Sequence, residues 1–321
     1  MQDIKLGRTG LKVSRLCLGT MTFGWSSDEE ASFAIMDTAL DAGINFFDSA
    51  DIYSRWIEGN NGGDSEKIIG KWLKTKNRRD IIIATKTRGQ VWDGANGQGL
   101  SRSHIIHAVE DSLRRLQTDY IDLYQTHWPD DETPMDETLL ALDHLVKSGK
   151  VRYIGTSNHP PSLMVESLWI SDIHKISRYE TLQPHYSMLH RKEYELELEK
   201  VCKKHNIGVI PYSPLAAGFL TGKYSRENKS PDSTRSSGGL IQNMLNNEKA
   251  YIVLDRVMEI ADGYNVPPAQ IALAWMLTKP TITAPIVGAR TVEQLNDVIG
   301  ATDLSLTDAE IQTLDEVSDG F

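Results

Sequence analysis

The 321-residue chain has 40% hydrophobic and 24% charged residues, the composition of a folded globular protein, which excludes a disordered or fibrous chain. A net charge of −10 argues against nucleic acid and anionic membranes as partners, since neither is attracted by a negative overall field. Cys17 and Cys202 are too few for a disulfide framework and lack the spacing of a metal site, so we predict no metal.

The sequence carries no signal for export or membrane insertion. Its first residues contain no continuous apolar segment, and no stretch approaches the ~18 apolar residues of a membrane helix. We therefore expect a cytoplasmic protein with two buried thiols in a reducing compartment.

Strand-like apolar runs alternate with amphipathic helical patterns along the chain. In chain order, the predicted strands are 14–19, 45–48, 80–86, 121–127, 153–157, 181–184, 208–212 and 283–288. Near-continuous apolar runs such as 81–84 are typical of parallel strands buried on both faces. Eight such units predict an α/β fold, a single-domain (β/α)8 TIM barrel over residues 1–321.

Four segments lie outside this repeat. Residues 6–11 contain Arg8-Thr-Gly10 and predict an N-terminal β-hairpin that caps the bottom of the barrel. Residues 247–264 and 307–317 predict two additional helices. The polar stretch 224–239 is too long for a simple connector, and we predict a mobile loop over the site.

Chemistry-bearing side chains stand at the ends of consecutive predicted strands: Asp48 at the second, Lys86 at the third and His127 at the fourth. Tyr53 follows Asp48 by five residues. Catalytic groups of such barrels gather at the carboxyl ends of different strands, so we expect these four residues, the tetrad, to meet.

The tetrad suits proton transfer to a carbonyl oxygen. Tyrosine, with an ordinary pKa near ~10, becomes a useful acid when a cation such as Lys86 favours its phenolate. Asp48 would fix Lys86, Tyr53 would donate the proton, and His127 would orient the carbonyl. The site is thus expected to take a small-molecule carbonyl substrate.

The ends of the later strands offer groups for a nucleotide cofactor, although no glycine-rich dinucleotide motif or P-loop is present. Amides and an aromatic ring suited to a nicotinamide are at Ser157, Asn158, Gln183 and Tyr212. Groups suited to a diphosphate are at Ser213, Pro214, Leu215, Ala217, Gly218 and Lys223. Arg290, after Gly288, can pair with a 2′-phosphate, which favours NADPH over NADH.

The chain resembles an aldo-keto reductase over essentially its whole length. The segments that carry the resemblance are LCLGTMTFG, FFDSADIY, IDLYQTHWPD, VRYIGTSN, LQPHYS, GVIPYSPLAAGFLTGKY and PIVGARTVEQL. It implies a (β/α)8 barrel, NADPH, the tetrad named above and the same nicotinamide and phosphate contacts. Within the family, it is similar to the bacterial aryl-alcohol and sugar-reductase branch and to potassium-channel β subunits.

The resemblance implies further cofactor contacts, at Gly19, Thr20, Met21, Asp48, Arg235, Gly288, Gln294 and Asp297. Val298 departs from the family pattern, because relatives often have there an Asn that reaches the adenine. Gln294 and Asp297 are the expected substitutes. Three tryptophans in βα loops are predicted to line the substrate pocket: Trp25, Trp56 and Trp128.

Two other functions stay open beside reduction. A catalytically weak NADPH-binding regulatory subunit is suggested by the channel β-subunit likeness, although those relatives alter the histidine position that His127 keeps here. A barrel lyase or isomerase would use Lys86 as a Schiff base, but this reading leaves Arg290 and Tyr212 without a role.

Overall fold

Eight parallel strands form the centre of the fold in the computed structural model, which describes residues 1–229 and 239–321, with only the backbone of 239 and 240. The strands are β1 Asp3–Lys5, β2 Lys12–Ser14, β3 Cys17–Gly19, β4 Phe46–Asp48, β5 Ile82–Thr87, β6 Ile121–Thr126, β7 Val151–Ser157, β8 Tyr179–Gln183, β9 Gly208–Val209 and β10 Ile286–Gly288. The parallel sheet has the order β10-β3-β4-β5-β6-β7-β8-β9. The N–H of Ile286 donates to the carbonyl of Pro211 at 2.8 Å and so joins its two ends. The predicted barrel is confirmed.

Helices follow the strands and surround the barrel. The described residues contain α1 Glu29–Asp41, α2 Asp64–Leu73, α3 Arg102–Leu116, α4 Met135–Lys147, α5 Pro161–His174, α6 Glu199–His205, α7 Gly239–Leu245, α8 Glu248–Tyr264, α9 Pro268–Leu277, α10 Val292–Ile299 and α11 Asp308–Val317. The two additional helices expected from the sequence are α8 and α11. The short α7 was not predicted, because seven residues carry too little periodicity. Among the described helices, none combines the length and apolarity that crossing a membrane requires.

The predicted hairpin is present and lies at the amino end of the barrel. β1 and β2 pair antiparallel, and in the turn between them Arg8 donates its N–H to the carbonyl of Asn206 at 3.0 Å. Gly7 has φ +57°, and a Cβ at this position would lie 2.6 Å from the backbone nitrogen of Gly208. Only glycine fits this approach, which places the hairpin against the start of β9.

The core has two layers. Inside the barrel lie the buried side chains of Cys17, Phe46, Ile82, Ala84, Leu123, Ile210, Ala284 and Ile286. Larger clusters of buried apolar residues fill the space between the sheet and the helices. Because the interior is packed with side chains, a ligand has access only at the ends of the barrel.

Candidate active site

Three members of the tetrad form one buried cluster at the carboxyl end of the barrel. The Nζ of Lys86 donates to Oδ2 of Asp48 at 2.6 Å, to Oη of Tyr53 at 2.9 Å and to the carbonyl of Ser49 at 2.8 Å. The Lys86 side chain is fully buried. Burial alone would lower the pKa of Lys86, but the charge of Asp48 and the bond to Tyr53 outweigh it and hold the pKa above its ordinary value. Lys86 is therefore a fixed cation beside the phenol.

The second carboxylate oxygen of Asp48 is also occupied. Its Oδ1 accepts from Nε2 of Gln183 at 3.0 Å and from Nε2 of Gln125 at 3.1 Å. Gln183 was predicted to contact a nicotinamide; its amide nitrogen bonds to Asp48, which leaves that prediction to its amide oxygen. Gln125 was not predicted from the sequence, although it lies on β6 two residues before His127, a spacing that points side chains of extended chain to the same side. The two amides fix the orientation of the carboxylate.

His127, the fourth member of the tetrad, directly follows β6, and its ring lies beside that of Tyr53. The two ring centroids are 6.1 Å apart and nearly perpendicular. Burial, with the charges of Lys86 and Arg88, lowers the pKa of His127 well below its ordinary value, so that the imidazole is neutral at physiological pH. A neutral imidazole donates only one N–H, and its buried Nδ1 has no partner in the structure.

Two of the three predicted pocket tryptophans, Trp56 and Trp128, lie beside tetrad rings, and the third, Trp25, packs on Trp56. Trp56 is 6.2 Å from the ring of Tyr53 and 5.6 Å from Trp25, measured between centroids. Trp128 stacks on His127 at 3.8 Å. Trp56 and Trp128 are 49% and 43% exposed. Exposed aromatic faces around a polar centre are typical of a small-molecule pocket.

The predicted nicotinamide contacts are bonded to one another. Oη of Tyr212 donates to Oδ1 of Asn158 at 3.0 Å, and Nδ2 of Asn158 donates to the carbonyl of His127 at 3.0 Å. The hydroxyl of Ser157 donates to the carbonyl of Gln183 at 2.8 Å. Burial raises the pKa of Tyr212 to about 12, so that its phenol keeps the proton that it donates. These bonds connect the predicted cofactor side to the tetrad before any ligand is bound.

One face of the Tyr212 ring is covered. The ring of His185 stacks on it at 5.1 Å with an interplanar angle of 9°, and the ring of His190 stacks on His185 at 3.8 Å. Tyr212 is half-buried. A planar ligand can therefore stack on Tyr212 only from the face opposite His185.

The predicted phosphate segment has an unusual backbone. Left-handed φ values occur at Ser213 (55°), Ala217 (55°) and Gly218 (89°), and also at Ala216 (50°). Turns with left-handed residues can turn successive N–H groups towards an anion. A Cβ on Gly218 would lie 2.8 Å from Nζ of Lys223, so the ammonium group is next to this turn.

The last predicted contacts frame the ends of β3 and β10. Thr20 is fully buried and donates its hydroxyl to the carbonyl of Asp48 at 2.9 Å, which makes it a support of the tetrad strand. Arg290 is half-buried, and its N–H donates to Oε1 of Gln294 at 3.0 Å. Asp297 is exposed, whereas Val298 is buried and packs in the core. Arg235 and most of the predicted loop 224–239 lie outside the described residues.

A second buried polar cluster lies behind the tetrad. Glu66 accepts from Nε of Arg115 at 2.7 Å and from the hydroxyl of Thr85 at 2.6 Å. Asp51, two residues before Tyr53, is fully buried in the same region. Burial, with the charge of Glu66, raises the pKa of Asp51 well above its ordinary value. The Asp51 carboxyl is therefore uncharged over a range in which an exposed aspartate is ionised.

We expect Asp51→Asn to stabilise the protein increasingly as the pH rises. A carboxyl whose pKa is higher in the folded state binds more protons folded than unfolded, so the wild type loses stability above the unfolded pKa of about 3.9. The loss is at most about 1.4 kcal/mol per pH unit, until the folded pKa is reached. Urea unfolding of both proteins between pH 5 and 8 measures this. A difference that stays constant over that range would contradict it.

No group of three or more His, Cys, Asp or Glu side chains within the described residues is arranged to hold a metal ion. His104 and His107 lie three residues apart on α3, a spacing that could suggest a metal site, but their partners are other groups. The ring of Trp92 stacks on His104 at 4.8 Å, and each histidine bonds to a backbone carbonyl through Nδ1.

The sequence of this chain is similar to those of known proteins over nearly its whole length. The model of the Aldo/keto reductase family matches residues 15–319. An uncharacterized oxidoreductase of Bacillus subtilis, YrpG, is 41% identical over 100% of this chain and 97% of its own length. The versiconal hemiacetal acetate reductase of Aspergillus parasiticus is 33% identical over 98% of this chain and 96% of its own. A protein of Arabidopsis thaliana named as a probable voltage-gated potassium channel subunit beta is 35% identical over 95% and 92%.

Proposed function

Because the chain belongs to the aldo/keto reductase family, we propose that it reduces an aldehyde or ketone to the alcohol with NADPH, and that Tyr53 is the general acid. The observation that carries this proposal is the bond of 2.9 Å from Nζ of Lys86 to Oη of Tyr53. A fixed cation at the phenol oxygen favours the charge that forms there when the proton leaves.

Each tetrad member has one task. Tyr53 gives its proton to the carbonyl oxygen, and Lys86 stabilises the phenolate that is left. Asp48 holds Lys86, and the two glutamine amides hold Asp48. Neutral His127 donates an N–H to the same carbonyl oxygen and so orients it. The bound nicotinamide supplies the hydride.

The residues around Tyr212 fit a nicotinamide. The ring of Tyr212 has one face covered by His185 and one face on which a nicotinamide can stack. Nε2 of Gln183 is bonded to Asp48, so the amide oxygen of Gln183 is the atom that accepts from a carboxamide N–H. The left-handed turn from Ser213 to Gly218, with Lys223 beside it, suits a diphosphate.

A titration with NADPH and NADH, followed by the decay of NADPH absorbance after addition of aldehydes, ketones and sugars, tests the proposal. Turnover of any carbonyl supports a reductase. Tight binding without turnover of the whole panel would favour a regulatory subunit, the class of the Arabidopsis relative's name. The absence of binding would overturn the cofactor assignment.

We expect Arg290→Gln to weaken NADPH binding and to leave NADH binding nearly unchanged. Arg290 is the cation at the start of α10, and a charged hydrogen bond contributes about 1.5–3 kcal/mol, which is roughly 10- to 100-fold in Kd. Fluorescence titration with both cofactors measures it. Arg79→Gln, at the amino end of the barrel, is the matched control. An equal loss for NADPH and NADH would show that Arg290 does not contact the 2′-phosphate.

A further inference from the structure

Arg88 lies level with His127 at the mouth of the site. It follows directly on β5, whose last residue, Thr87, pairs with Thr126 at the end of β6. The carbonyl of Thr87 accepts the N–H of His127 at 2.9 Å. Arg88 is therefore beside His127, at the end of the barrel where the tetrad lies.

The guanidinium of Arg88 lacks the partners that a structural arginine usually has. Its Nε is buried and has no hydrogen-bond partner, and no carboxylate within residues 1–229 and 239–321 forms an ion pair with it. Asp130 is the nearby carboxylate, but its oxygens accept from the N–H groups of Leu100 and Glu132 and from the hydroxyl of Thr133. The buried Nε is a donor that an acceptor on a ligand would satisfy, and leaving it unpaired is unfavourable.

The charge of Arg88 reaches the site. It contributes, after burial and Lys86, to the lowered pKa of His127. Arg88 also has φ 132°, a left-handed backbone conformation that L side chains rarely adopt. Such strain is concentrated at functional sites, where the surrounding structure maintains it.

Two other cations near the site, Arg55 and Lys86, already have hydrogen-bond partners. Nη1 of Arg55 donates to the carbonyl of Gln90, which ties it to the loop after β5. Lys86 is enclosed by Asp48, Ser49 and Tyr53. Of these three cations, Arg88 is the one whose side chain has no hydrogen bond or ion pair within the described part of the chain.

We propose that Arg88 forms an anion subsite beside His127, and that the preferred substrates are carbonyl compounds bearing a carboxylate or a similar anionic oxygen group. This inference rests on the proposed carbonyl reduction at the same site. An overall charge of −10 repels anions, so an anionic substrate needs a local cation such as this one. Arginine pairs with a carboxylate through two parallel N–H bonds, which also fixes the orientation of the substrate.

The test compares acids with their neutral esters. The substrates are 2-, 3- and 4-carboxybenzaldehyde and the corresponding methyl esters, with NADPH, and the enzymes are the wild type, Arg88→Gln and Arg88→Lys. We expect the wild type to prefer at least one acid over its ester. Arg88→Gln should lower kcat/KM for that acid about 10- to 100-fold more than for the ester, mainly through KM, and Arg88→Lys should recover part of the loss.

A further variant separates the cation from the backbone. Arg88→Gly removes the charge and relieves the left-handed strain, so it should fold at least as well as the wild type and lose the preference for the acid. An acid-to-ester ratio that is unchanged in Arg88→Gln and Arg88→Gly would overturn the anion subsite while leaving carbonyl reduction in place. Failure of the wild type to reduce every aldehyde would instead overturn the proposed function.

Discussion

Tyr53→Phe is expected to remove reduction and to leave cofactor binding nearly intact. The change deletes one oxygen, the group that donates the proton, and general acids contribute typically about 10²- to 10⁴-fold to a rate. The remaining bonds of Lys86, to Asp48 at 2.6 Å and to Ser49 at 2.8 Å, do not involve the phenol. The cluster should therefore keep its geometry. Single-turnover decay of NADPH measures the rate, and fluorescence titration measures binding.

The matched control is Tyr120→Phe. Tyr120 immediately precedes β6, at the amino end of the barrel, where its ring packs 4.1 Å from the guanidinium of Arg78. Removing its hydroxyl should leave the rate of reduction unchanged, because this end of the barrel is opposite to the tetrad. If Tyr53→Phe retained more than about a tenth of the wild-type rate, a loss smaller than general acids usually cause, Tyr53 would not be the proton donor.

Lys86→Met is expected to lose both reduction and stability. The side chains of Lys86 and Asp48 are 0% and 2% exposed, and removing one partner of a buried ion pair leaves an uncompensated charge. Such a loss costs about 3–5 kcal/mol. The variant also leaves Tyr53 without its cation, so turnover should fall with it. Urea unfolding followed by circular dichroism measures the stability term.

The double variant Asp48→Asn with Lys86→Met separates the two effects. It removes both charges together, so it should be more stable than Lys86→Met alone and yet equally inactive. This comparison also gives a result if Lys86→Met does not fold. The single variant Asp48→Asn completes the comparison. If the destabilisation of the double variant equalled the sum of those of Asp48→Asn and Lys86→Met, Asp48 and Lys86 would not interact, contrary to the distance of 2.6 Å.

The strand ends could be predicted because parallel strands end in a marked change from apolar to polar residues. Predicted strand 45–48 and β4 both end at Asp48, and predicted strand 283–288 and β10 both end at Gly288. Strand starts were less accurate, since Ser14, the first residue of the predicted strand 14–19, belongs to β2 of the hairpin. One predicted end was also wrong: β9 ends at Val209 and not at 212, and Pro211 beyond it has no N–H to donate.

The partners of the tetrad were harder to predict than its members. Gln125 has a readable signal, since an amide within an apolar strand needs a buried partner. In the second buried cluster, which is distinct from the tetrad and its partners, Glu66 and Arg115 are 49 residues apart, and nothing in the spacing indicates that they pair. The unpaired state of Arg88 is likewise a property of the folded chain, because it depends on which acceptors the surrounding loops use.

The carboxylate of Asp48 takes part in a hydrogen bond across the interior of the barrel. β4 and β8 are four places apart in the eight-stranded order and hence on opposite sides of the barrel, and the bond between Asp48 and Gln183 bridges them. Asp48, Lys86 and Gln183 thus connect opposite strands and stabilise the barrel independently of catalysis. A related protein that bound ligands without catalysis would still need these three residues to stabilise its barrel. Tyr53 and His127 do not take part in these bonds to Asp48, so a loss of catalysis would appear as substitutions at these two positions.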